Sequence, residues 1–196
     1  MTKYSLVDLA QVATGSAVNR NGSSARVAMV GDLDGSGALP HRLTRAGPPK
    51  SGNTSNLQLG DIVVSMRGNS NLAATIDLDD LAGPELFASL DLAVVRLNDP
   101  ETVNPHYVAN YINLPSTQLT FSSSREGSAA KRLPIGAIRD LVVPLPSFSR
   151  QCAIAALAQE SAKERLLLER IATLRQARIH DLLRQAAEMP TEEATQ

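Results

Sequence analysis

Side chains that take part in catalysis occur in this sequence, but they do not stand at the spacings that the common mechanisms need. Ser65, Asp91 and His106 could supply a hydrolytic triad, yet Ser65 lacks the flanking glycines of a nucleophile elbow. The acids between Asp77 and Asp80 lack the glycine and distal glutamate of a calcium-binding loop at the required positions. No acid stands two residues before any lysine, so a common metal-nuclease motif is missing. We therefore expect no catalytic residue and no metal site.

Motifs for cofactors are missing as well. No G-x-G-x-x-G segment follows a predicted strand, so a dinucleotide or methyl-donor site is not supported. The Pro48-Pro49 pair lacks the neighbouring aromatic residue that a DNA amino-methyltransferase needs. Arg175 and His180 have the spacing of an RNase motif from helical-bundle toxins, but they stand alone in a chain that is otherwise β-rich. The sequence predicts a protein that is not an enzyme and that holds no cofactor of its own.

Side chains that hydrogen-bond to DNA concentrate in three loop segments. Arg, Lys, Asn and Ser bind base edges in the grooves, and Arg and Lys also pair with phosphates. Arginine makes planar, bidentate contacts with guanine and phosphate, and it dominates the basic residues of this chain. Each residue has the alternative of being an ordinary solvated loop residue. The candidate DNA contacts are Arg42, Arg45, Lys50 and Asn53 in the first segment, Arg67, Asn69 and Asn71 in the second, and Ser124, Arg125, Lys131 and Arg132 in the third.

Arg67 is the strongest candidate for a base contact. It follows a predicted strand and precedes Gly68, which allows the backbone to turn sharply. A strand end positions a side chain more rigidly than a long loop does. The alternative is that Arg67 pairs with Asp32 or Asp61 and only stabilises the fold. Arginine and lysine of the third segment, at 125–132, suit phosphate contacts.

The net charge of −1 conceals segments of opposite sign. Residues 1–70 and 102–139 are each net basic by three charges, whereas residues 71–101 carry seven acids against one arginine. Such alternation suggests one face for a polyanion and another for a different partner. A single cysteine, Cys152, excludes a disulfide framework, and the absence of tryptophan makes a base-stacking platform a poor interpretation.

The character of the chain changes at Pro146. Before it, short apolar runs alternate with Gly, Ser, Asn and Pro clusters, which is typical of strands and turns. Residues 105–114 predict a helix with proline in its first turn. After Pro146, residues 150–187 contain no glycine or proline and predict one helix about 55 Å long. We therefore expect an α+β fold, with a β-rich domain at 1–146, a long helix at 147–187 and an acidic flexible tail at 188–196.

Apolar residues recur along the predicted long helix at spacings of three and four, which is the pattern of a coiled coil. Ser161, Glu164 and Arg178 interrupt it. The alternative is a single amphipathic helix packed on its own domain. The residues predicted to contact a partner helix are Leu157, Leu168, Ile171, Leu174, Ile179 and Leu182.

The whole layout resembles one half of the DNA-specificity subunit of type I restriction–modification systems, in which a target recognition domain precedes a spacer helix. Leu6–Ala10 with Thr14-Gly15 is similar to the opening strand and glycine turn of that family, and Leu59–Ser65 with Arg67-Gly68 is the most specific match. Further similar segments, in the same order, are Val30–Leu33, Pro105 with Tyr107–Ile112, Gly127–Ala129 with Lys131 and Leu133, and Asp140-Leu141 with Pro144–Pro146, Gln151 and Ile154-Ala155.

The resemblance implies double-stranded DNA and DNA methyltransferase subunits as partners, with S-adenosylmethionine held by the methyltransferase. A restriction or translocase subunit is a further implied partner. Family members usually carry two such halves in one chain. The resemblance therefore allows two assemblies, a homodimer or a pairing with a second half-subunit. The predicted setting is the cytoplasm of a bacterium or archaeon, because no apolar segment is long enough to span a membrane and the N-terminus lacks a signal-peptide core.

Two other classes of protein remain as alternatives. The acidic segment 71–101 favours a defence- or phage-associated decoy, which would bind methyltransferase subunits without binding DNA. A nuclease or toxin is the other, and the missing motifs disfavour it.

Overall fold

The computed structural model describes residues 2–17, 19, 21–40, 42–49, 56–125 and 132–188. Three predicted DNA contacts, Lys50, Asn53 and Lys131, and most of the predicted tail lie outside these residues. Within them the chain is mixed α and β, which confirms the predicted α+β class. The described elements are β1 (Thr2–Ser5), α1 (Leu6–Leu9), β2 (Ala10–Thr14), β3 (Ala25–Ala28), β4 (Thr44–Ala46), β5 (Ile62–Ser65), β6 (Ala73–Thr75), α2 (Leu78–Leu81), β7 (Leu86–Ala88), β8 (Leu92–Leu97), α3 (Pro105–Asn113), α4 (Pro115–Ser123), α5 (Ile135–Arg139), β9 (Val142–Leu145) and α6 (Phe148–Glu188).

A four-stranded antiparallel sheet forms the centre of the first part of the chain, with the strand order β2-β8-β5-β6. Ile62, Val63 and Val64 of β5 are all fully buried. Ile62 and Val64 lie in one hydrophobic core and Val63 lies in a second core on the opposite face. A strand that is covered on both faces needs a continuous apolar run rather than an alternating one, which is what this segment has.

A three-stranded sheet of order β4-β3-β7 forms part of the second core. Its β3–β7 pairing is parallel and its β3–β4 pairing is antiparallel. Leu86 from β7 packs there with Leu57 and Ile76. This arrangement leaves β4, which carries Arg45, at the edge of the sheet.

Helices cover the other face of the central sheet. Ile112 of α3, Phe121 of α4 and Ile138 of α5 are fully buried in the first core. The side chain of Asn104 caps α3 by accepting a hydrogen bond of 3.0 Å from the backbone N–H of Tyr107. Pro105 occupies the first turn, so α3 begins where the sequence predicts.

The N-terminal segment departs from the opening strand that the resemblance implies. Residues Leu6–Leu9 form the single helical turn α1, which lies between two short strands. Leu6 and Ala10 are buried whereas Asp8 is exposed, and a strand would place all three residues on one face. The strand before it, β1, pairs with β9.

The long helix α6 includes the predicted segment 150–187. The chain divides within this helix into two compact units, Met1–Gln159 and Glu160–Gln196. In the first unit, Gln151 is buried and bonds to the backbone of Thr102, Asn104 and Pro146. The first turns of α6 therefore belong to the compact unit, whereas the functional division predicted at Pro146 stays a prediction.

In the second unit, every described side chain from residue 163 to residue 187 is exposed. Nowhere in the part of the chain that the structure describes is a helix both long and apolar enough to cross a membrane.

Candidate nucleic-acid interface

The end of β5 fixes the backbone around Arg67. The N–H of Met66 donates to the carbonyl of Asp91 at 2.9 Å, and the N–H of Leu133 donates to the carbonyl of Met66 at 2.8 Å. Arg67 and Arg132 form an isolated antiparallel bridge. Gly68 follows with a φ of +100°, a conformation that disfavours any other residue. The predicted second and third segments therefore meet at this strand end.

Arg67 pairs with a carboxylate that the sequence analysis did not select. Its Nε lies 2.7 Å from Oδ1 of Asp91, and the two side chains are 49% and 43% exposed. The alternative partners, Asp32 and Asp61, are engaged elsewhere. Asp32 accepts a hydrogen bond from the N–H of Met29, and burial raises the pKa of the Asp32 carboxyl. The alternative prediction, in which Arg67 pairs with Asp32 or Asp61, was therefore wrong about the partner.

Asp61, which is buried, forms an ion pair with the partly exposed Arg96. Arg96 donates from Nε to Oδ1 at 2.7 Å and from Nη2 to Oδ2 at 2.6 Å. The Asp61 side chain is almost fully buried and also accepts from the N–H of Gln58. These hydrogen bonds raise the pKa of the Arg96 guanidinium. This pair joins the start of β5 to β8, and the buried Asp61 carboxylate is fully engaged within the fold.

The structure contradicts the predicted DNA contact of Asn71. This residue was expected to contact DNA, but its side chain is completely buried. Its Nδ2 donates to the carbonyl of Ser65 at 2.8 Å, and its Oδ1 accepts from Nε of Arg125 at 2.9 Å. Gln118 bonds to the Asn71 backbone N–H and carbonyl. Asn71 therefore has a structural role and positions Arg125 through this bond. A buried amide needs hydrogen-bond partners for its polar atoms, and both polar atoms of the Asn71 side chain have one.

Arg125 ties the end of α4 to the loop after β5. Its Nη2 donates to the carbonyl of Asn69 at 2.8 Å. The side chain of Asn69 is exposed, so its predicted contact with DNA stays open. Ser124 is half-buried and its hydroxyl donates to the carbonyl of Thr120.

The turn between β7 and β8 is the point at which the predicted segments converge. Arg132 donates from Nη2 to the carbonyl of Leu90 at 3.2 Å, and Arg67 pairs with the adjacent Asp91. Arg45 on β4 and the same two turn residues line one cleft of about 700 Å³. Arg42 is exposed just before β4. We call Arg45, Arg67 and Arg132, with Asp91, the arginine cluster. Arg125 bonds to the loop that follows Arg67, through Asn69 and Asn71.

The arginine cluster is suited to binding and not to bond-breaking chemistry. It presents guanidinium groups on a backbone fixed by strand pairing, with a single carboxylate among its members. Guanidinium groups donate to phosphate oxygens and to guanine acceptors in the major groove.

The sequence did not indicate the role of Gln118, which acts from α4, or of Asp91, which it offered only for a hydrolytic triad. The role of Asp91 depends on strand pairing, because Ser65 pairs with Leu92 and this pairing brings Arg67 to the β7–β8 turn. No local pattern in the sequence indicates that pairing.

The six predicted partner-helix residues are all exposed, with side chains between 44% and 72% accessible. Their contact with a second helix stays a prediction. They are Leu157, Leu168, Ile171, Leu174, Ile179 and Leu182.

No family model matches the sequence, and no curated protein matches it. Solved structures do match. A chain from a structure of the type I R-M system, concerned with its complex assembly and conformational transition, aligns with 92% of this chain and 43% of its own length, at a TM-score of 0.64 and 15% identity. The type I restriction–modification S subunit from M. genitalium aligns with 80% of this chain and 37% of its own, at a TM-score of 0.51 and 18% identity.

The HsdS subunit from Thermoanaerobacter tengcongensis aligns with 87% of this chain and 39% of its own length, at a TM-score of 0.55 and 14% identity. This chain therefore spans less than half the length of the structures it matches. At these identities the likeness concerns the fold, and this chain has the fold of a single-domain, half-length S subunit of a type I restriction–modification system.

Proposed function

We propose that this chain is a sequence-specific DNA-recognition subunit of a type I-like restriction–modification or methylation-based defence complex. The observation that carries the proposal is the arginine cluster, in which side chains from three separate segments meet at one turn. Clustered arginine on a rigid frame suits both halves of DNA binding, because phosphate contacts position the protein and base-edge contacts provide specificity.

The cluster and the neighbouring Arg125 divide between these two tasks. Arg132 donates one bond to a backbone carbonyl of the protein, and Arg125 donates one to a backbone carbonyl and one to the Asn71 side chain, so each is held in place with donors left for a ligand. We assign them to phosphates. Arg67 stands at a strand end with its Nε engaged by Asp91, and we assign its terminal nitrogens to a base edge.

The likeness to S subunits supports a proposal for the partners of the complex. A DNA methyltransferase subunit would hold S-adenosylmethionine and carry out the chemistry, with a restriction or translocase subunit in systems that also cut DNA. One recognition domain would bind one half of the DNA target, the half-site. A homodimer through the exposed apolar residues of α6, or a pairing with a second half-subunit, would supply the other half-site. In a homodimer the half-sites are related by two-fold symmetry.

The test is selection of duplexes from a random-sequence library by the purified full chain, followed by sequencing. We expect one enriched motif and an affinity that falls as salt rises, because phosphate contacts release counterions. Addition of the cognate methyltransferase with S-adenosylmethionine is expected to methylate adenine at that motif. Methylation by this chain alone would contradict the proposal.

The decoy alternative has one observation in its favour, the acidic segment 71–101, and Asp91 of the cluster belongs to it. A decoy would copurify with methyltransferase subunits and would bind no duplex at low salt. Salt-dependent binding of the library excludes the decoy, and absence of any binding excludes the recognition subunit.

A further inference from the structure

We infer that Asp91 is a specificity-determining residue, which holds Arg67 for a base edge and keeps it from binding phosphate. This inference rests on the proposed function. It starts from the ion pair between Nε of Arg67 and Oδ1 of Asp91, in which both side chains are about half exposed. A pair this exposed contributes little to the stability of a fold, so stability alone does not account for it.

The geometry of the pair determines how Arg67 can act. The contact with Asp91 is made through Nε, at the inner edge of the guanidinium group. The terminal nitrogens, Nη1 and Nη2, form the fork that binds O6 and N7 of guanine. A carboxylate at the inner edge restricts the side chain and leaves that fork for a base edge.

The charge of Asp91 separates the two kinds of DNA contact. A phosphate that approached Arg67 would also approach the Asp91 carboxylate, and like charges repel. A guanine edge is neutral and presents only acceptors, so the same carboxylate does not oppose it to that degree. Specificity obtained by penalising the wrong contact is a general device of recognition surfaces.

The backbone at both ends of the pair is fixed, which makes the arrangement persistent. The N–H of Met66, next to Arg67, bonds to the carbonyl of Asp91 itself at 2.9 Å. Asp91 directly precedes β8, and Ser65 at the end of β5 pairs with Leu92. The two side chains therefore leave neighbouring backbone positions on paired strands.

The experiment compares Asp91→Asn with the wild-type full chain in the random-duplex selection and in titrations with unselected duplex. We expect Asp91→Asn to bind unselected duplex more tightly, with a salt slope steeper by about one unit because Arg67 is free to pair with a phosphate. We also expect the guanine preference at one motif position to fall about fivefold or more. Asp91→Glu is expected to restore part of that preference.

Glu101→Gln is the matched control, because Glu101 is exposed, carries the same charge and lies beyond the other end of β8. It is expected to leave the motif and the salt slope unchanged. Arg67→Ala is expected to lose the same guanine preference, and Asp91→Asn added to Arg67→Ala is expected to cause no further loss of it.

The outcomes separate this inference from the proposed function. A motif that is the same for Asp91→Asn and the wild type overturns the inference, whatever happens to the affinity for unselected duplex. A lower melting temperature with an unchanged motif means that the pair only stabilises the fold, and also overturns it. A wild-type chain that enriches no motif overturns the proposed function itself.

Discussion

Two arginine–aspartate pairs lie at opposite ends of the paired strands β5 and β8, and they differ in their hydrogen bonds and in the burial of the carboxylate. Arg96 and Asp61 join β8 to β5 through two short hydrogen bonds, with the carboxylate almost fully buried. Arg67 and Asp91 lie where these strands meet the β7–β8 turn, with Nε 2.7 Å from Oδ1 and nearly half of each side chain exposed. The carboxylate of the first pair is buried and that of the second is exposed to solvent.

Burial, rather than residue type, separates structural charge pairs from those available to a ligand. Once Asp61 is buried, its charge needs a partner, because an unpaired buried charge is costly. Asp91 stays hydrated whether or not Arg67 contacts it, so the second pair can open at little cost. The same contrast applies to apolar residues, since Ile112 is buried in the first core whereas Ile171 is exposed on α6.

The largest expected effect concerns assembly through α6. We expect the wild-type chain to dimerise and the double variant Leu168→Asp with Ile171→Asp to be monomeric but folded. In a symmetric dimer the change removes four buried apolar side chains, or about 6 kcal/mol or more of association free energy. Sedimentation velocity at tens of micromolar measures the difference.

Leu166→Asp is the control for that experiment, because about 100° per residue places Leu166 on nearly the opposite side of the helix from Leu168 and Ile171. It is expected to remain a dimer. A wild-type chain that sediments as a monomer would rule out the homodimer, and the pairing with a second half-subunit would then be preferred.

The next largest effect is expected for variants that remove the arginine of each ion pair. Arg96→Met leaves the buried Asp61 carboxylate without its charge partner, and we expect it to lower the free energy of unfolding by about 3 kcal/mol. Arg67→Met removes an exposed pair and is expected to cost less than about 1 kcal/mol. Urea denaturation followed by circular dichroism gives both values. Equal losses for the two variants would contradict the distinction between the pairs.

Much of the fold could be predicted from local sequence. The apolar run before Arg67 predicts β5, the proline at 105 predicts the start of α3, and the segment free of glycine and proline predicts α6. These features are local, since capping, periodicity and backbone restriction act within a few residues. The pairing of distant strands is not local, which is why the partner of Arg67 was assigned wrongly.

The burial of Asn71 shows the same limit within the candidate site. Asparagine in a run of Gly, Asn and Ser predicts an exposed loop, and its neighbour Asn69 is exposed. Asn71 is buried with its polar atoms paired, because Gln118 of α4 bonds to its backbone and Arg125, just after α4, bonds to its side chain. Those partners lie some fifty residues further along the chain, beyond the reach of any pattern in the loop itself.

A smaller effect is expected for Asn71→Ala. The change leaves the Ser65 carbonyl and Nε of Arg125 without their buried partner, and we expect it to cost about 2 kcal/mol of stability. Asn69→Ala is the matched control at an exposed position and is expected to cost little. Thermal denaturation compares the two. A loss of stability no larger than that of Asn69→Ala would contradict the structural role of Asn71.

The smallest expected effect belongs to Arg45, on the edge strand β4 and exposed beside the cleft. We assign it to a phosphate, because Arg45 has no carboxylate pairing among the described residues that would hold it for a base edge. Arg45→Ala should then weaken binding of every duplex about equally, and the slope of log affinity against log salt should fall by about 0.9 between about 50 and 200 mM salt. Lys131 lies outside the described residues, and we expect Lys131→Ala to weaken binding and lower the salt slope in the same way.

Fluorescence anisotropy with one enriched and one unselected duplex measures the effect of Arg45→Ala and sets it beside Arg67→Ala. The ratio of the two affinities should stay constant for Arg45→Ala and should fall for Arg67→Ala, because only a base contact distinguishes one sequence from another. A changed ratio for Arg45→Ala, with an unchanged salt slope, would place Arg45 on a base edge. The carboxylate beside Arg67 would then be unnecessary for base recognition at this surface, which would weaken the contrast between paired and unpaired arginine on which the assignment of Arg67 depends.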